Sequence, residues 1–264
     1  MNNSEGLHWS FDYNHGAQRP QFTQQLVDTF LRFYAEPKTD RISTDATGHI
    51  YDIFPNYWRG YAIGEHLQDN LSLGEAIIKR QQADDARWYY TIQYTNRTSG
   101  EELQLCFHTA DDLYRSLTGE WYVQAQNDCQ DNYSTFTCEG QRVGDEIRLT
   151  VNHAEITVGL VQKDTPFTCN WALFDVIPAL RGAIQGSGEV VKIAVLEDLE
   201  KLRPVNRIGF LESIQMHETQ LDGYYLYGEG LLPCYWWLDM HGNVAIFANF
   251  FQTFVLREIV GGSA

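Results

Sequence analysis

The feature that most limits how this chain can fold is a two-residue alternation of apolar side chains, repeated in several separate runs. In Trp88-Tyr89-Tyr90-Thr91-Ile92-Gln93-Tyr94 the apolar set sits on the even positions. Trp121, Val123 and Ala125 alternate with Tyr122, Gln124 and Gln126, and Ile147, Leu149 and Val151 alternate with Arg148, Thr150 and Asn152. Ile156, Val158 and Leu160 follow the same rule. Side chains two apart on a strand share a face, so these runs predict antiparallel sheet with one buried and one wetter side. Gly140, Gly144, Gly159 and Gly242 punctuate the runs as turns and bulges would. No βαβ rhythm of about 30 residues is present.

Helix signals are fewer. Pro20 opens an amphipathic segment in which Phe22, Leu26, Phe30 and Phe33 share one face, and Pro37 ends it. Ser72-Leu73-Gly74-Glu75 reads as a capping box before a short helix through Ile77 and Ile78. Thr109-Ala110-Asp111-Asp112 reads as a third helix start, and Ala172–Arg181 and Leu196–Leu202 as further short helices. From Leu221 to Ala264 only Asp222, Glu229, Asp239, Arg257 and Glu258 are charged. There, Asp239-Met240-His241-Gly242-Asn243 predicts a hairpin turn between Tyr235–Leu238 and the long run Val244–Leu256. That last run is apolar on both faces, which predicts a central strand covered on one side by the helix at 22–34.

Charge narrows the partners. The 264 residues carry 19 Lys+Arg against 35 Asp+Glu, a net charge of −16. Such a chain lacks the clustered cations that phosphate backbones require, so nucleic acid is not an expected partner. With 44% apolar residues it can bury enough surface to offset chain entropy. No apolar run approaches the roughly 18 residues of a spanning helix, so membrane insertion is not expected. Met1-Asn2-Asn3-Ser4-Glu5 has neither a basic start nor a following apolar run, which predicts a cytoplasmic chain or a mature one that has lost its leader. The Asn-x-Ser/Thr triplets at Asn70, Asn96 and Asn132 are then accidental. Cys106, Cys129, Cys138, Cys169 and Cys234 are odd in number and form no Cys-x-x-Cys pair, so free thiols are expected.

At Ser116-Leu117-Thr118-Gly119-Glu120-Trp121-Tyr122-Val123 the chain resembles the opening strand of a lipocalin-like (calycin) β-barrel. That family enters its first strand through a Gly-x-Trp triplet, here Gly119, Glu120 and Trp121, with the Trp plugging the barrel base. The resemblance implies an Arg packed over that Trp, for which Arg257 is the late candidate. The expected fold is mainly β with accessory helices: a lipocalin-like antiparallel barrel, or a strongly curved sheet packed by an N-terminal helix. Residues 1–118 would cover or extend a barrel of residues 119–264, unless the two form one continuous domain.

Chemistry is only partly legible. Among His8, His15, His49, His66, His108, His153, His217 and His241 the closest ligand-like spacings are His153-Ala154-Glu155 and Asp239-Met240-His241, and no metal is expected. No Gly-x-Ser-x-Gly elbow or Gly-rich phosphate cradle occurs, so neither covalent catalysis nor a nucleotide cofactor is expected. Glu212 shares even positions with Ile208, Phe210 and Ile214. If they form a regular strand, Glu212 lies on the apolar face, where desolvation raises its pKa and suits it to acid/base work. The other reading turns Leu211 inward and Glu212 to water. His217 is its candidate partner. Tyr225, Tyr227, Tyr235 and Trp237 share a parity within adjacent runs and, with Trp88, are the expected ligand-lining residues. A cavity lets water or ligand satisfy hydroxyls that a packed core would strand.

The expected function is a cofactor-independent lyase, isomerase or cyclase working by proton transfer in an aromatic-lined pocket. The alternative is a non-catalytic carrier or chaperone for a hydrophobic or aromatic ligand or chromophore. Either way the expected partner is a small molecule, with a homodimer left open.

Overall fold

The computed structural model describes residues 27, 30–31, 33–34, 46–55, 72–83, 87–129, 132–216, 218–228 and 231–261. The first strands are β1 (Ala46–Pro55), β2 (Gly74–Gln82), β3 (Trp88–Asn96), β4 (Glu101–Thr109), β5 (Leu117–Cys129), β6 (Asn132–Val143), β7 (Glu146–Val151) and β8 (Ala154–Leu160). After the short β9 (Phe167–Cys169) comes helix α1 (Leu173–Ser187). The chain then continues through β10 (Val191–Glu197), β11 (Lys201–Met216), β12 (Thr219–Gly228), β13 (Leu231–Leu238), β14 (Val244–Ala248) and β15 (Gln252–Gly261). Among the described residues no helix is long and apolar enough to cross a membrane.

The alternation is what builds the sheet. Trp88, Tyr90, Ile92 and Tyr94 are buried, as are Trp121, Val123, Ile147 and Leu149. The described strands form one 15-stranded sheet, ordered β8 to β1, then β15 back to β9. Its ladders are antiparallel except β9 with β10. Strand β5 spans residue 118 and pairs with β4 on both sides of a bulge, Thr118 with His108 and Tyr122 with Cys106. The two ends of the sheet curl towards each other. β5 touches β9, and β8 touches β11. The Thr168 hydroxyl donates to the Arg115 carbonyl at 2.9 Å, and the Trp121 indole to the Leu199 carbonyl at 3.0 Å. The result is a mainly β, barrel-like wall.

Helix α1 fills the concave side. Leu173, Phe174, Val176, Ile177, Leu180 and Ile184 are buried on it, and Phe174 meets Tyr51 of β1 and Phe247 of β14, each at 5.2 Å between rings. Polar pairs pin it to both walls. Asp175 is paired with Arg80 of β2 and accepts the Tyr90 hydroxyl of β3 at 2.6 Å. Arg181 is paired with the buried Asp222 of β12. The opposite face of β12–β15 is covered too. Val27, Phe30 and Leu31 are helical and pack with Leu221, Trp237, Ile246 and Val255. Phe33 stacks on Phe54 at 4.6 Å. Phe22 and Leu26 lie outside the described residues.

Several local expectations are corrected. Residues 74–82 are strand, not helix. The Ser72 hydroxyl accepts the Gly74 N–H and donates to the Ile53 carbonyl, starting a strand whose two edges β1 and β3 both claim. Asp112 makes a turn instead of a helix: its carboxylate accepts the Tyr114 and Ser116 N–H groups, and Arg115 sits at φ 46°. Leu196–Leu202 is a hairpin, with Asp198 and Leu199 both at positive φ, 47° and 61°. The run Val244–Leu256 is two strands, because the Asn249 side chain accepts the Phe251 and Gln252 N–H groups and turns the chain there. The hairpin at Asp239–Asn243 forms as expected, with Gly242 at φ 87°. Ile156 is 47% exposed, because β8 ends the sheet order. Arg257 bridges Asp52 and Glu75, far from the role over Trp121 that the barrel resemblance implied.

Candidate functional site

Cross-strand partners in a ladder face the same side, so register assigns each candidate residue to a face. Phe210 pairs with Tyr224 on the helix side. A bulge then intervenes, and Glu212 pairs with Gly223, on the opposite face. Glu212 is buried there, in the neighbourhood of Trp237, whose ring lies over Gly223. Tyr225, Tyr227 and Tyr235 share that outer face and form a buried cluster of their own with Leu211. Arg207 sits over Tyr227 at 5.7 Å. Trp88 faces the other way, into the helix-side core, with the Arg115 guanidinium over its ring at 4.9 Å and its N–H donated to Asp111. His217 lies outside the described residues.

The helix side holds a pocket of about 640 Å³ between β3–β4, the segment entering α1, and β10–β15. Its walls are aromatic. Trp236 meets Phe247 at 4.9 Å, Phe247 meets Phe254 edge-on at 5.2 Å, and Phe254 lies 6.3 Å from both Tyr94 and Trp171. Leu226 and Cys234 complete the wall, and burial pushes the Cys234 thiol up to about 12. Phe251, 64% exposed, and Leu232 extend the apolar surface to the lip.

Polar groups gather at one side of this pocket. The Asp198 carboxylate accepts the Asn170 amide and the Trp171 indole, each at 2.9 Å, and its own N–H donates to Asn170 Oδ1 at 2.9 Å. Burial raises the Asp198 carboxyl above the usual range, against the pull of those two donors. Burial also raises Glu101, with the Asp198 charge adding to it. Glu197 is paired with Arg203 at 3.0 Å, and Lys201 stands nearby. The Tyr94 hydroxyl, near enough to feel the Glu101 and Asp198 charges, accepts Gln252 Nε2 at 2.8 Å.

A second depression of about 440 Å³ lies on the outer face of β3–β8, among Glu120, Glu139, Arg148, Glu155, His108 and Tyr122. Its lining is mostly polar. It lacks the enclosing aromatic wall of the inner pocket, and a solvated sheet face explains it. The inner pocket is therefore the candidate site.

The alternation did single out Tyr94, but not Trp236, Trp171 or Asp198. Trp236 is missed because its neighbour Trp237 shares a parity with the tyrosines. Asp222 strengthens the wrong choice, because a charged residue marks its parity as the wetter one. It shares the helix-side face of β12 with Tyr224 and is paired there with Arg181 of α1.

No family model matches the sequence, and no curated protein is similar to it. Among solved structures, the chain is similar to a β-barrel-like protein of Domain of Unknown Function DUF1849 from Brucella abortus, at a TM-score of 0.53 and 8% identity. The match covers 84% of this chain and all (100%) of that one. At that identity the likeness concerns the fold alone.

Proposed function

We propose that this protein binds an apolar, aromatic or conjugated small molecule in the pocket between helix α1 and the curved sheet. The observation that carries the reading is the composition of that pocket: a run of aromatic rings in mutual contact beside a small set of charged side chains. Burial of apolar ligand surface and ring stacking supply the affinity, and a few polar groups fix orientation. A carrier or chaperone role follows directly, since holding such a molecule out of water needs no chemistry.

Native mass spectrometry of the purified chain, and titration with a neutral naphthalene fluorophore, test this. Saturable binding is expected, and Leu103→Trp, which projects bulk into the pocket, should abolish it. Unsaturable uptake, or uptake untouched by Leu103→Trp, would refute the pocket.

An acid/base enzyme of lyase, isomerase or cyclase type is the second reading, and one observation favours it. Asp198 is a carboxyl in the pocket wall held above its usual range by burial, the condition for holding or receiving a proton near neutrality. Glu212, on the outer face, is not positioned for that pocket. Solvent deuterium entering a bound ligand, and lost in Asp198→Asn, would support catalysis; no exchange in the wild type argues for binding alone.

A further inference from the structure

The Asp198 carboxylate is set into the wall of the pocket, where β10 turns into β11. It is held still there. Its backbone sits at φ 47°, its N–H donates to Asn170 Oδ1, and the Asn170 amide and Trp171 indole both donate to its own Oδ1. Among the described residues Oδ2 accepts no hydrogen bond, and it is not sealed within the wall. A fixed carboxylate of the pocket thus keeps one oxygen open and unpaired. Such a group needs no ordering when a partner arrives.

Among the described residues no cation is paired with it. Arg203 is paired with Glu197 at 3.0 Å, and Lys201 stands opposite Glu197 in the β10–β11 ladder. Glu101, exposed at the same pocket, has no ion pair among the described residues either. Burial raises the carboxyls of Glu101 and Glu200, and the Asp198 charge adds to both. Its field therefore reaches β4 and the neighbouring turn without being neutralised.

The carboxylate is contiguous with the rings. The indole that grips Asp198 is that of Trp171, which stacks with Phe174 at 6.4 Å and lies 6.3 Å from Phe254. Ring faces carry partial negative charge and attract organic cations. A neutral guest gains only burial and stacking in this pocket. A guest with one positive charge gains the same and, in addition, the attraction of an unpaired carboxylate, which strengthens where water is excluded. An anionic guest meets Asp198 and Glu101 with the sign reversed, in a chain of net charge −16.

We infer that the ligand is a hydrophobic organic cation, an aromatic or conjugated amine or quaternary ammonium, whose charge is held against Asp198 while its apolar body lies along the aromatic wall. This rests on the pocket being a ligand site, and the test separates the two ideas. The probes are (2-naphthylmethyl)trimethylammonium, 2-neopentylnaphthalene, in which carbon replaces the charged nitrogen, and 2-naphthylacetate. Dissociation constants are measured at neutral pH and low salt for the wild type, Asp198→Asn and Glu101→Gln.

Asparagine keeps the Oδ1 acceptor and tolerates the positive φ, so Asp198→Asn removes the charge alone. The hydrocarbon should bind all three proteins similarly, which also shows that each is folded. The wild type should prefer the cation to the hydrocarbon. That preference should fall roughly tenfold in Asp198→Asn and about threefold in Glu101→Gln. Naphthylacetate should bind most weakly. If the hydrocarbon binds the wild type as tightly as the cation, or the preference survives Asp198→Asn unchanged, the cation inference is overturned and the pocket stands. Tighter binding of naphthylacetate overturns it too. Should Asp198→Asn lose the hydrocarbon as well, Glu101→Gln decides, and an unchanged preference there overturns the inference. If no probe binds the wild type, the pocket reading fails and the inference with it.

Discussion

The indole N–H of Trp121 donates to the main-chain carbonyl of Leu199 at 3.0 Å, across 78 positions of the chain. Trp121 is buried on β5, and Leu199 is a buried residue at φ 61° in the β10–β11 turn. The bond fastens one end of the curled sheet to the other, where no strand ladder does. Removing the indole takes away a large core side chain and strands a buried carbonyl at once. Trp121→Ala should cost about 4 kcal/mol, read as a lowered urea midpoint. Gly140→Ala should also destabilise, because a methyl group there runs into the Trp121 indole.

The pairing of Arg181 with Asp222 ties helix α1 to β12. Asp222 is 1% exposed and also accepts the Ser213 hydroxyl at 2.6 Å. Arg181→Met leaves a buried carboxylate without its cation, and should cost about 3 kcal/mol. The double variant Arg181→Met, Asp222→Leu should recover much of that loss, since an apolar pair needs no desolvated charge. Chemical denaturation of the single and double variants checks both. Equal stability of the two would show that the charge is not the cause.

His49 gives the fold an acid-sensitive element. Burial, with Arg80 adding to it, lowers its pKa from 6.5 to about 4, and Asp239 opposes them weakly. The folded state therefore resists a proton that the unfolded chain accepts. The contribution is fully present above pH 6.5 and is lost as pH falls towards 4, on the order of 3 kcal/mol in all. His49→Gln should flatten the fall in stability between pH 7 and 4.5 relative to the wild type. Parallel curves would place the sensitivity elsewhere.

Cys234 reports on the pocket from within its wall. Burial holds its thiol near 12, and it is the thiolate that reacts. Uncharged alkylating reagents should modify Cys234 slowly at pH 7.5 and faster as the pH rises. A saturating neutral naphthalene should slow the reaction further, while leaving Cys106, in the outer depression, unaffected. Peptide mass mapping after timed labelling distinguishes the two thiols.

The wall of this molecule is legible in the sequence where ladders are regular. Trp88, Tyr90, Ile92 and Tyr94 alternate in the chain and are buried together. Parity stops being transferable at bulges. The extra residue at Leu211 moves Glu212 to the face opposite Phe210, a one-residue slip that pattern alone does not show. The outward tyrosines share a parity for the same reason that they cluster, but the face they share is the one away from helix α1. Ile77 and Ile78 look helical beside a capping box until β1 and β3 are present to claim the strand's hydrogen bonds. The pocket itself is made by elements far apart in the chain, and so no local run announces it.

Every described ladder except β1–β15 joins strands consecutive in the chain. Two meanders can each assemble from near neighbours before they meet. β1 and β15 must then find one another over a long separation, as Asp52 and Arg257 do across 205 positions. Helix α1, tied to β2 and to β12, belongs to both halves. Much of the loop-closure entropy thus falls on that docking, and the pocket, lined by both Tyr94 of β3 and Phe254 of β15, is complete only after it. A nascent chain would complete the pocket only once β15 has joined β1.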